Sequence, residues 1–135
     1  MAQRKEAFFP PDTKRPGDFP YTPAIGVGET VYISGQGPID PATGQIAGDT
    51  IEAQVELTLS NVRRVLAAAG CAIEDCVKIT AYLADIADFD RYNAVYRRHF
   101  AAEPRPARTT VQAPLWGGIR VEIDAIAVRG CGRGG

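Results

Sequence analysis

The alternation of apolar and polar residues predicts several β-strands. In "AIGVGETVYISG", residues 24–35, two apolar runs flank Gly28 and Glu29, which is typical of a β-hairpin. In "CVKITAYLA", residues 76–84, apolar and polar residues alternate strictly, which predicts a half-buried strand. The apolar set of that strand is Val77, Ile79, Ala81 and Leu83. Phe8 and Phe9 predict a short edge strand near the N-terminus.

Apolar residues at steps of three and four predict two helices. We expect Asp49 to be the N-cap of the first, with Glu52 completing a partial capping box, and Gly70 to end it. We expect Asp88 to cap the second, which Pro104 prevents from continuing. The apolar stripe of the first is Ile51, Val55, Leu59, Val62, Leu66 and Ala69, and that of the second is Phe89, Tyr92, Tyr96 and Phe100.

Two further strands are predicted near the C-terminus, in "RTTVQA" (108–113) and "IRVEIDAIAV" (119–128). If they pair as a hairpin through "PLWGG", matching apolar residues sets Val111 opposite Ile123. That register would place a row of polar side chains on one face of the sheet, which is either a solvated face or a site. The row consists of Arg108, Thr110, Gln112, Glu122 and Asp124.

The order of the elements predicts an α+β fold, with two helices on one face of a mixed sheet. The other face carries the polar row and some apolar residues, and a small domain usually covers such a face by association. We expect one domain over residues 1–129, followed by a disordered glycine-rich tail over residues 130–135.

Composition argues against two classes of partner. The 135 residues carry a net charge of −1 and a pI near 5.8, whereas nucleic-acid binders usually have a basic face, so nucleic acid is an unlikely partner. No apolar run approaches the roughly 18 residues needed to cross a bilayer, and the charged, proline-rich N-terminus lacks a signal-peptide apolar core. We therefore expect a cytoplasmic protein without a membrane partner.

The sequence also gives little support to metal or cofactor chemistry. Cys71, Cys76, Cys131 and the single histidine, His99, do not have zinc-site spacing, so we expect no metal. No glycine loop has the form of a P-loop or a dinucleotide site, so we expect no cofactor. His99 lies near the predicted end of the second helix, which favours a structural role over a catalytic one.

An arginine, a carboxylate and hydroxyls remain, which suits a small anionic substrate and an activated water. Arg108 could bind a carboxylate through two parallel hydrogen bonds, and Glu122 could deprotonate a water. The same residues allow a second interpretation, in which Arg108 forms a structural salt bridge with Asp124 or Glu122. The pattern alone leaves both interpretations open.

Several motifs together resemble those of the Rid family, the reactive intermediate deaminases, also called the RidA or YjgF family. They are "VYISGQGPIDPATG", "NVRRVLAAAG", "VKITAYLADIADFDRYNAVY", "PARTTVQ" and "VEIDAIAV", within residues 20–129. The resemblance implies a chorismate-mutase-like fold and a homotrimer with a central barrel and a cleft at each interface. It also implies cofactor-independent hydrolysis of 2-imino acids, such as 2-iminopropanoate and 2-iminobutanoate, to 2-keto acids and ammonia.

The resemblance assigns roles to individual residues. Arg108, in "PAR", would anchor the substrate carboxylate, and Glu122, in "VEID", would position the water. The substrate-binding residues that it implies are Tyr21, Ser34, Gly35, Asn93 and Thr110. Tyr21 could instead pack as an aromatic residue, Ser34 could bond the backbone at a strand end, and Asn93 could support helix structure.

This chain departs from the family pattern at three places. Thr110 stands where members often carry cysteine, "LWGG" replaces a longer lysine-bearing turn, and Gly37 stands where many members have a branched apolar residue. The alternative functions are an endoribonuclease or translation inhibitor, a relative acting on another imine or enamine, and a trimer that binds small ligands without turnover.

Overall fold

The computed structural model describes residues 3–11 and 18–132, and all of its strands belong to one sheet. The sheet has six strands in the order β1-β2-β3-β6-β4-β5. Only the β4–β5 pair is parallel, so the sheet is mixed, as predicted. The strands are β1 (Glu6–Phe8), β2 (Ala24–Val27), β3 (Thr30–Gln36), β4 (Cys76–Leu83), β5 (Ala107–Gln112) and β6 (Val121–Val128).

Two helices, α1 (Ile51–Ala68) and α2 (Phe89–His99), pack on one face of this sheet. The apolar stripes predicted for both helices are buried there, except that Phe89 is only partly buried. Ile79, Ala81 and Leu83 meet them from β4 with no exposed surface. The prediction of an α+β fold with both helices on the same face is therefore confirmed.

The first helix starts one residue later than predicted. Thr50, not Asp49, is the N-cap: it has extended backbone angles, and its Oγ1 accepts the Ala53 N–H at 3.1 Å. The predicted end is correct, since Gly70 adopts a φ of +79°. The Cys71 N–H then donates to the Leu66 carbonyl at 2.9 Å, which closes a Schellman motif.

We expect Thr50→Ala to lower stability by about 1 kcal/mol, because it removes this cap bond. For a domain of this size the melting temperature should fall by roughly 3–5 °C, which differential scanning calorimetry can measure. Ser60→Ala is the matched control, because Ser60 is exposed in the middle of α1 and alanine is the better helix former. An equal fall in melting temperature in both variants would contradict the role of Thr50 as the N-cap.

The second helix and the fourth strand each contain one local departure from the predicted pattern. Asp88 occupies the N-cap position of α2, but its side chain makes no capping hydrogen bond.

Val77 does not share the buried face of β4; a register shift between Cys76 and Lys78 leaves it 41% exposed. A β-bulge adds one residue to a strand and so reverses the alternation on one side of it.

The predicted hairpin between the last two strands is wrong. β5 pairs with β4 in parallel, and β6 lies between β3 and β4, so β4 separates the two strands. The connection that carries the chain across the end of β4 includes a short 3₁₀ turn at Trp116–Gly118. The Arg120 carbonyl in this connection accepts the Ala84 N–H at 3.0 Å.

This topology also overturns the predicted single row of polar side chains. Arg108 pairs with Ile79 and Thr110 with Ala81, so they share the face covered by the helices, as does Gln112 opposite Leu83. Glu122 pairs with Tyr82 and Asp124 with Thr80, so they lie on the opposite, open face. Residues paired across neighbouring strands point to the same side of a sheet, and successive residues alternate.

Neither α1 nor α2 covers the open face, which contains apolar as well as polar side chains. Tyr32 on β3 is 49% exposed and pairs with Ile126 on β6.

In the part of the chain that the structure describes, no helix combines the length and the apolar character that crossing a bilayer requires.

The glycine-rich tail was predicted to be disordered from residue 130. Residues 130–132 are instead described against the 3₁₀ turn Ile73–Asp75, where the Gly132 N–H donates to the Asp75 carboxylate at 2.9 Å. The rest of the predicted tail, residues 133–135, lies outside the described residues.

Candidate functional site

The Arg108 side chain extends from β5 over the aromatic face of α2. Its guanidinium carbon lies 4.6 Å from the ring centre of Tyr96, 5.5 Å from that of Tyr92 and 5.7 Å from that of Phe89. These rings recur at helical spacing along α2, and their negative faces attract the cation. The sequence predicted these rings as part of the core. Their second role, as cation–π partners of Arg108, was not predicted, although their helical spacing can be seen in the sequence.

Two polar residues fix the geometry of this cluster. Arg108 Nη1 donates to Asn93 Oδ1 at 2.7 Å, and the hydroxyls of Thr110 and Tyr92 lie 2.9 Å apart. Burial raises the pKa of both Tyr92 and Tyr96, so their phenol hydroxyls stay protonated beside the guanidinium. Asn93 thus orients the arginine, while the Thr110 hydroxyl is engaged by Tyr92.

A pocket of about 220 Å³ opens beside Arg108. Asn93, Tyr96 and Arg108 line it together with Arg105 and Pro106. Among residues 3–11 and 18–132, no carboxylate forms an ion pair with Arg108. The second interpretation that the sequence left open, a salt bridge of Arg108 with Glu122 or Asp124, does not hold within one chain, since both acids lie on the other face of the sheet.

Of the remaining candidates, Gly35 contacts Glu122, and Ser34 is its neighbour in β3. The Glu122 carboxylate lies directly over Gly35, where any Cβ atom would collide with it. The neighbouring Ser34 Oγ donates to the Thr22 carbonyl at 2.6 Å, which ties the end of β3 to the segment before β2. Tyr21, next to Thr22 in the chain, is 54% exposed and packs on Phe19 with ring centres 5.3 Å apart.

Asp124 does not act with Arg108, contrary to the polar row that the sequence predicted. The Tyr82 hydroxyl donates to Asp124 Oδ2 at 3.2 Å. Burial raises the pKa of Asp124, and burial together with the nearby carboxylate raises that of Tyr82. Gln112 is likewise engaged elsewhere, since its Oε1 accepts the Ile86 N–H at 2.7 Å.

The candidate residues therefore form two groups that one chain does not bring together. We call Asn93, Arg108 and Thr110 the arginine group, and Tyr21, Ser34, Gly35 and Glu122 the glutamate group. The first lies on the helix-covered side of an edge strand, whereas Glu122 and Gly35 of the second lie at the open face near the β3 bulge. One group can bind an anion, and the other supplies a carboxylate that can act on a water.

His99 has structural partners. Its Nε2 lies 3.1 Å from Glu56 Oε1, and its Nδ1 accepts from Arg63 at 3.4 Å. A larger pocket of about 600 Å³ adjoins it and contains none of the predicted site residues. Across the described ranges, no cluster of three or more His, Cys, Asp or Glu side chains could hold a metal ion.

Comparisons with known proteins agree with this fold and these motifs. The family model described as "Endoribonuclease L-PSP" matches residues 13–129. The RutC family protein SSO3206 of Saccharolobus solfataricus is 42% identical over 80% of this chain and 86% of its own. The bovine 2-iminobutanoate/2-iminopropanoate deaminase is 46% identical over 82% of this chain and 81% of its own.

A solved structure extends the agreement to three dimensions. Escherichia coli TdcF, crystallised with bound serine, is 38% identical and superposes with a TM-score of 0.76 over 82% of this chain and 89% of its own. Fold and motifs thus define a small α+β protein of the reactive intermediate deaminase type. The chain belongs to the endoribonuclease L-PSP family, which includes the Rid proteins.

Proposed function

We propose that this protein hydrolyses 2-imino acids and their enamine tautomers to 2-keto acids and ammonia, without a cofactor. The observation that carries the proposal is the state of Arg108. Its guanidinium is held by Asn93 and three aromatic rings beside an open pocket, with no carboxylate partner in the described part of the chain. A cation held in this way is suited to the carboxylate of a small substrate.

In this proposal Arg108 binds the substrate and Glu122 activates the water. The guanidinium donates two parallel hydrogen bonds to the substrate carboxylate, which fixes the imine carbon in position. Glu122 accepts a proton from a water as its oxygen attacks that carbon. Glu122 returns that proton to the imine nitrogen, which gives a carbinolamine. Its C–N bond then breaks as the carbinol O–H proton passes to the departing nitrogen, so that imine and water become 2-keto acid and ammonia.

We propose further that the site forms between the chains of a homotrimer of the chorismate-mutase-like type, whose three sheets form a central barrel. The arginine group and the glutamate group lie on opposite faces of one sheet, so a complete site needs the arginine group of one protomer and the glutamate group of another. The uncovered, partly apolar face and the unpaired edge of β5 both support association. Serine bound to TdcF and the deaminases among the relatives support a small carboxylate ligand.

Light scattering behind a sizing column should give three times the chain mass of 14.5 kDa. The physical reason is the open sheet face, which three-fold closure would bury. A monomer that persists at micromolar concentration would contradict both the trimer and the shared site.

The activity is tested with imines generated in situ by an amino-acid oxidase from a panel of amino acids. We expect the protein to accelerate loss of the imine and to leave RNA intact in a parallel incubation. RNA degradation abolished by Arg108→Ala would favour the endoribonuclease alternative, which the family description supports. Tight binding of 2-keto acids without acceleration of any imine would favour a trimer that binds ligands without turnover.

We expect activity to persist in EDTA. The proposed chemistry uses only an arginine, a carboxylate and a water, and the chain lacks the residue pattern of a zinc site. The measurement is imine hydrolysis before and after dialysis against the chelator. Loss that a divalent ion restores would contradict the mechanism.

We expect Asn93→Ala to lower kcat/KM by about tenfold, because a hydrogen bond to a charged group contributes roughly 1.5–3 kcal/mol and the three rings still hold the arginine. Asn93→Asp should be worse than Asn93→Ala, because a carboxylate there would neutralise Arg108 and compete with the substrate. Steady-state kinetics on one imine checks both variants. Equal activity in Asn93→Asp and wild type would contradict a positioning role for the amide.

A further inference from the structure

The pocket beside Arg108 carries more positive charge than one carboxylate requires. Its lining includes Arg97, Arg105 and Arg108, and none of its described lining residues is acidic. One guanidinium is sufficient to bind one carboxylate through two parallel hydrogen bonds. The volume of about 220 Å³ is smaller than the roughly 300–1,000 Å³ of sites for drug-sized ligands. Size and charge together favour a small ligand with more than one anionic group.

Arg97 lies one helical turn from the residue that orients Arg108. It follows Asn93 by four residues on α2, and side chains at this spacing lie on the same face of a helix. Asn93 Oδ1 in turn accepts the hydrogen bond from Arg108 at 2.7 Å. Arg97 and Arg108 therefore reach the same pocket, the first from α2 and the second from β5.

Two of the three arginines on α2 are paired with glutamates of α1. Arg91 pairs with Glu52 at 2.7 Å. Arg98 pairs with Glu56 at 3.4 Å. Arg97, the third, is exposed, and no ion pair in the part of the chain that the structure describes includes it. Its guanidinium is therefore available to an anion that enters the pocket.

Arg105, the remaining arginine of the pocket, is held by its own partners. Its Nε donates to the Phe100 carbonyl at 2.9 Å, and its Nη1 forms an ion pair with the exposed carboxylate of Glu103. A carboxylate that is already bound to a guanidinium competes with any second anion. Arg97 is thus better suited than Arg105 to bind a second anionic group.

We propose that Arg97 binds a second carboxylate, which makes the enzyme prefer 2-imino diacids, such as the imine of glutamate, over monocarboxylic 2-imino acids of similar length. This rests on the proposed function and names the substrate class of the same site. With the first carboxylate on Arg108, the second lies towards Arg97 on the α2 side of the pocket. Because Arg97 is exposed, water screens part of the attraction, and we expect a preference of about five- to tenfold.

The first test compares imines that amino-acid oxidases generate from glutamate and from methionine, whose side chains have similar lengths and differ in charge. Wild-type protein should have about five- to tenfold higher kcat/KM for the glutamate-derived imine. Arg97→Ala should remove most of that preference, and Arg97→Lys should retain part of it. Arg98→Ala is the matched control and should retain the preference, because Arg98 follows Arg97 directly, pairs with Glu56 and does not line this pocket.

The second test measures binding without turnover, by isothermal titration calorimetry with the two keto acid products. At about 0.01 M salt, 2-oxoglutarate should have a lower Kd than 4-methylthio-2-oxobutanoate. The difference should shrink at about 1 M salt, because the Debye length falls from roughly 30 Å to roughly 3 Å. Arg97→Ala should raise the Kd of 2-oxoglutarate more than that of the monocarboxylic product.

The outcomes separate the second anchor from the reaction. Hydrolysis of both imines with the same ratio of kcat/KM in wild type and in Arg97→Ala overturns the anchor and leaves the proposed function intact. Failure to hydrolyse any imine, together with tighter binding of 2-oxoglutarate that depends on Arg97, overturns the function and supports the anchor. Equal loss of the preference in Arg97→Ala and Arg98→Ala attributes it to the overall charge of α2, which also overturns the anchor.

Discussion

Arg108→Ala should reduce kcat/KM for every 2-imino acid by at least roughly tenfold to a few hundredfold. The substitution removes the charged hydrogen bonds that would hold the substrate carboxylate, and leaves the pocket and the rings of α2 in place. Arg108→Lys should restore little, because an ammonium cannot form the two parallel bonds of a guanidinium. Kinetics on the alanine-derived imine measures the effect.

The control for this loss is a second arginine of the same region. Arg91 on α2 forms an exposed ion pair with Glu52 at 2.7 Å, so Arg91→Ala should leave activity unchanged and cost little stability. Melting temperature and oligomeric state are measured on the same preparations. An Arg108→Ala protein that melts early but keeps its specific activity would show that the residue serves the fold.

Glu122→Gln should lower kcat by about 10²–10⁴-fold with a smaller effect on KM. Glutamine preserves the size of the side chain and its contact with Gly35, but it cannot accept the proton from the attacking water. Glu56→Gln is the matched control, since the ion pairs of Glu56 within residues 3–11 and 18–132 are with exposed Arg98 and with His99. A change in KM alone would indicate that Glu122 contacts the substrate and does not act on water.

The sequence predicted the helices and most strands because their signals are local. The first helix was misplaced at its start by one residue, since Asp49 and Thr50 are both good capping residues and only the backbone angles decide between them. The apolar stripe of α1 and the alternation of β4 can be recognised without knowing which elements pack against them. The bulge at Val77 broke that alternation, and no residue type in the sequence marks it.

Strand pairing could not be predicted from the same information. Consecutive strands usually pair, and a hairpin between β5 and β6 matched Val111 with Ile123, yet both strands pair with β4. The error affected the predicted site, because the hairpin placed Arg108 and Glu122 on a shared face. In the structure they lie on opposite faces of the sheet. The residue types were sufficient to suggest an anion anchor and a base, but their arrangement depends on which strand lies between them.

The separation of Arg108 from Glu122 leads to the most direct test of the account. Arg108→Ala and Glu122→Gln chains, each strongly impaired alone, are co-expressed with different tags, and mixed assemblies are isolated by two successive affinity steps. In a closed ring whose sites each combine Arg108 of one protomer with Glu122 of the next, every mixed trimer contains one intact site. We therefore predict about one third of wild-type activity from these assemblies. Mixed trimers no more active than the better of the two parent variants would contradict a site shared between protomers.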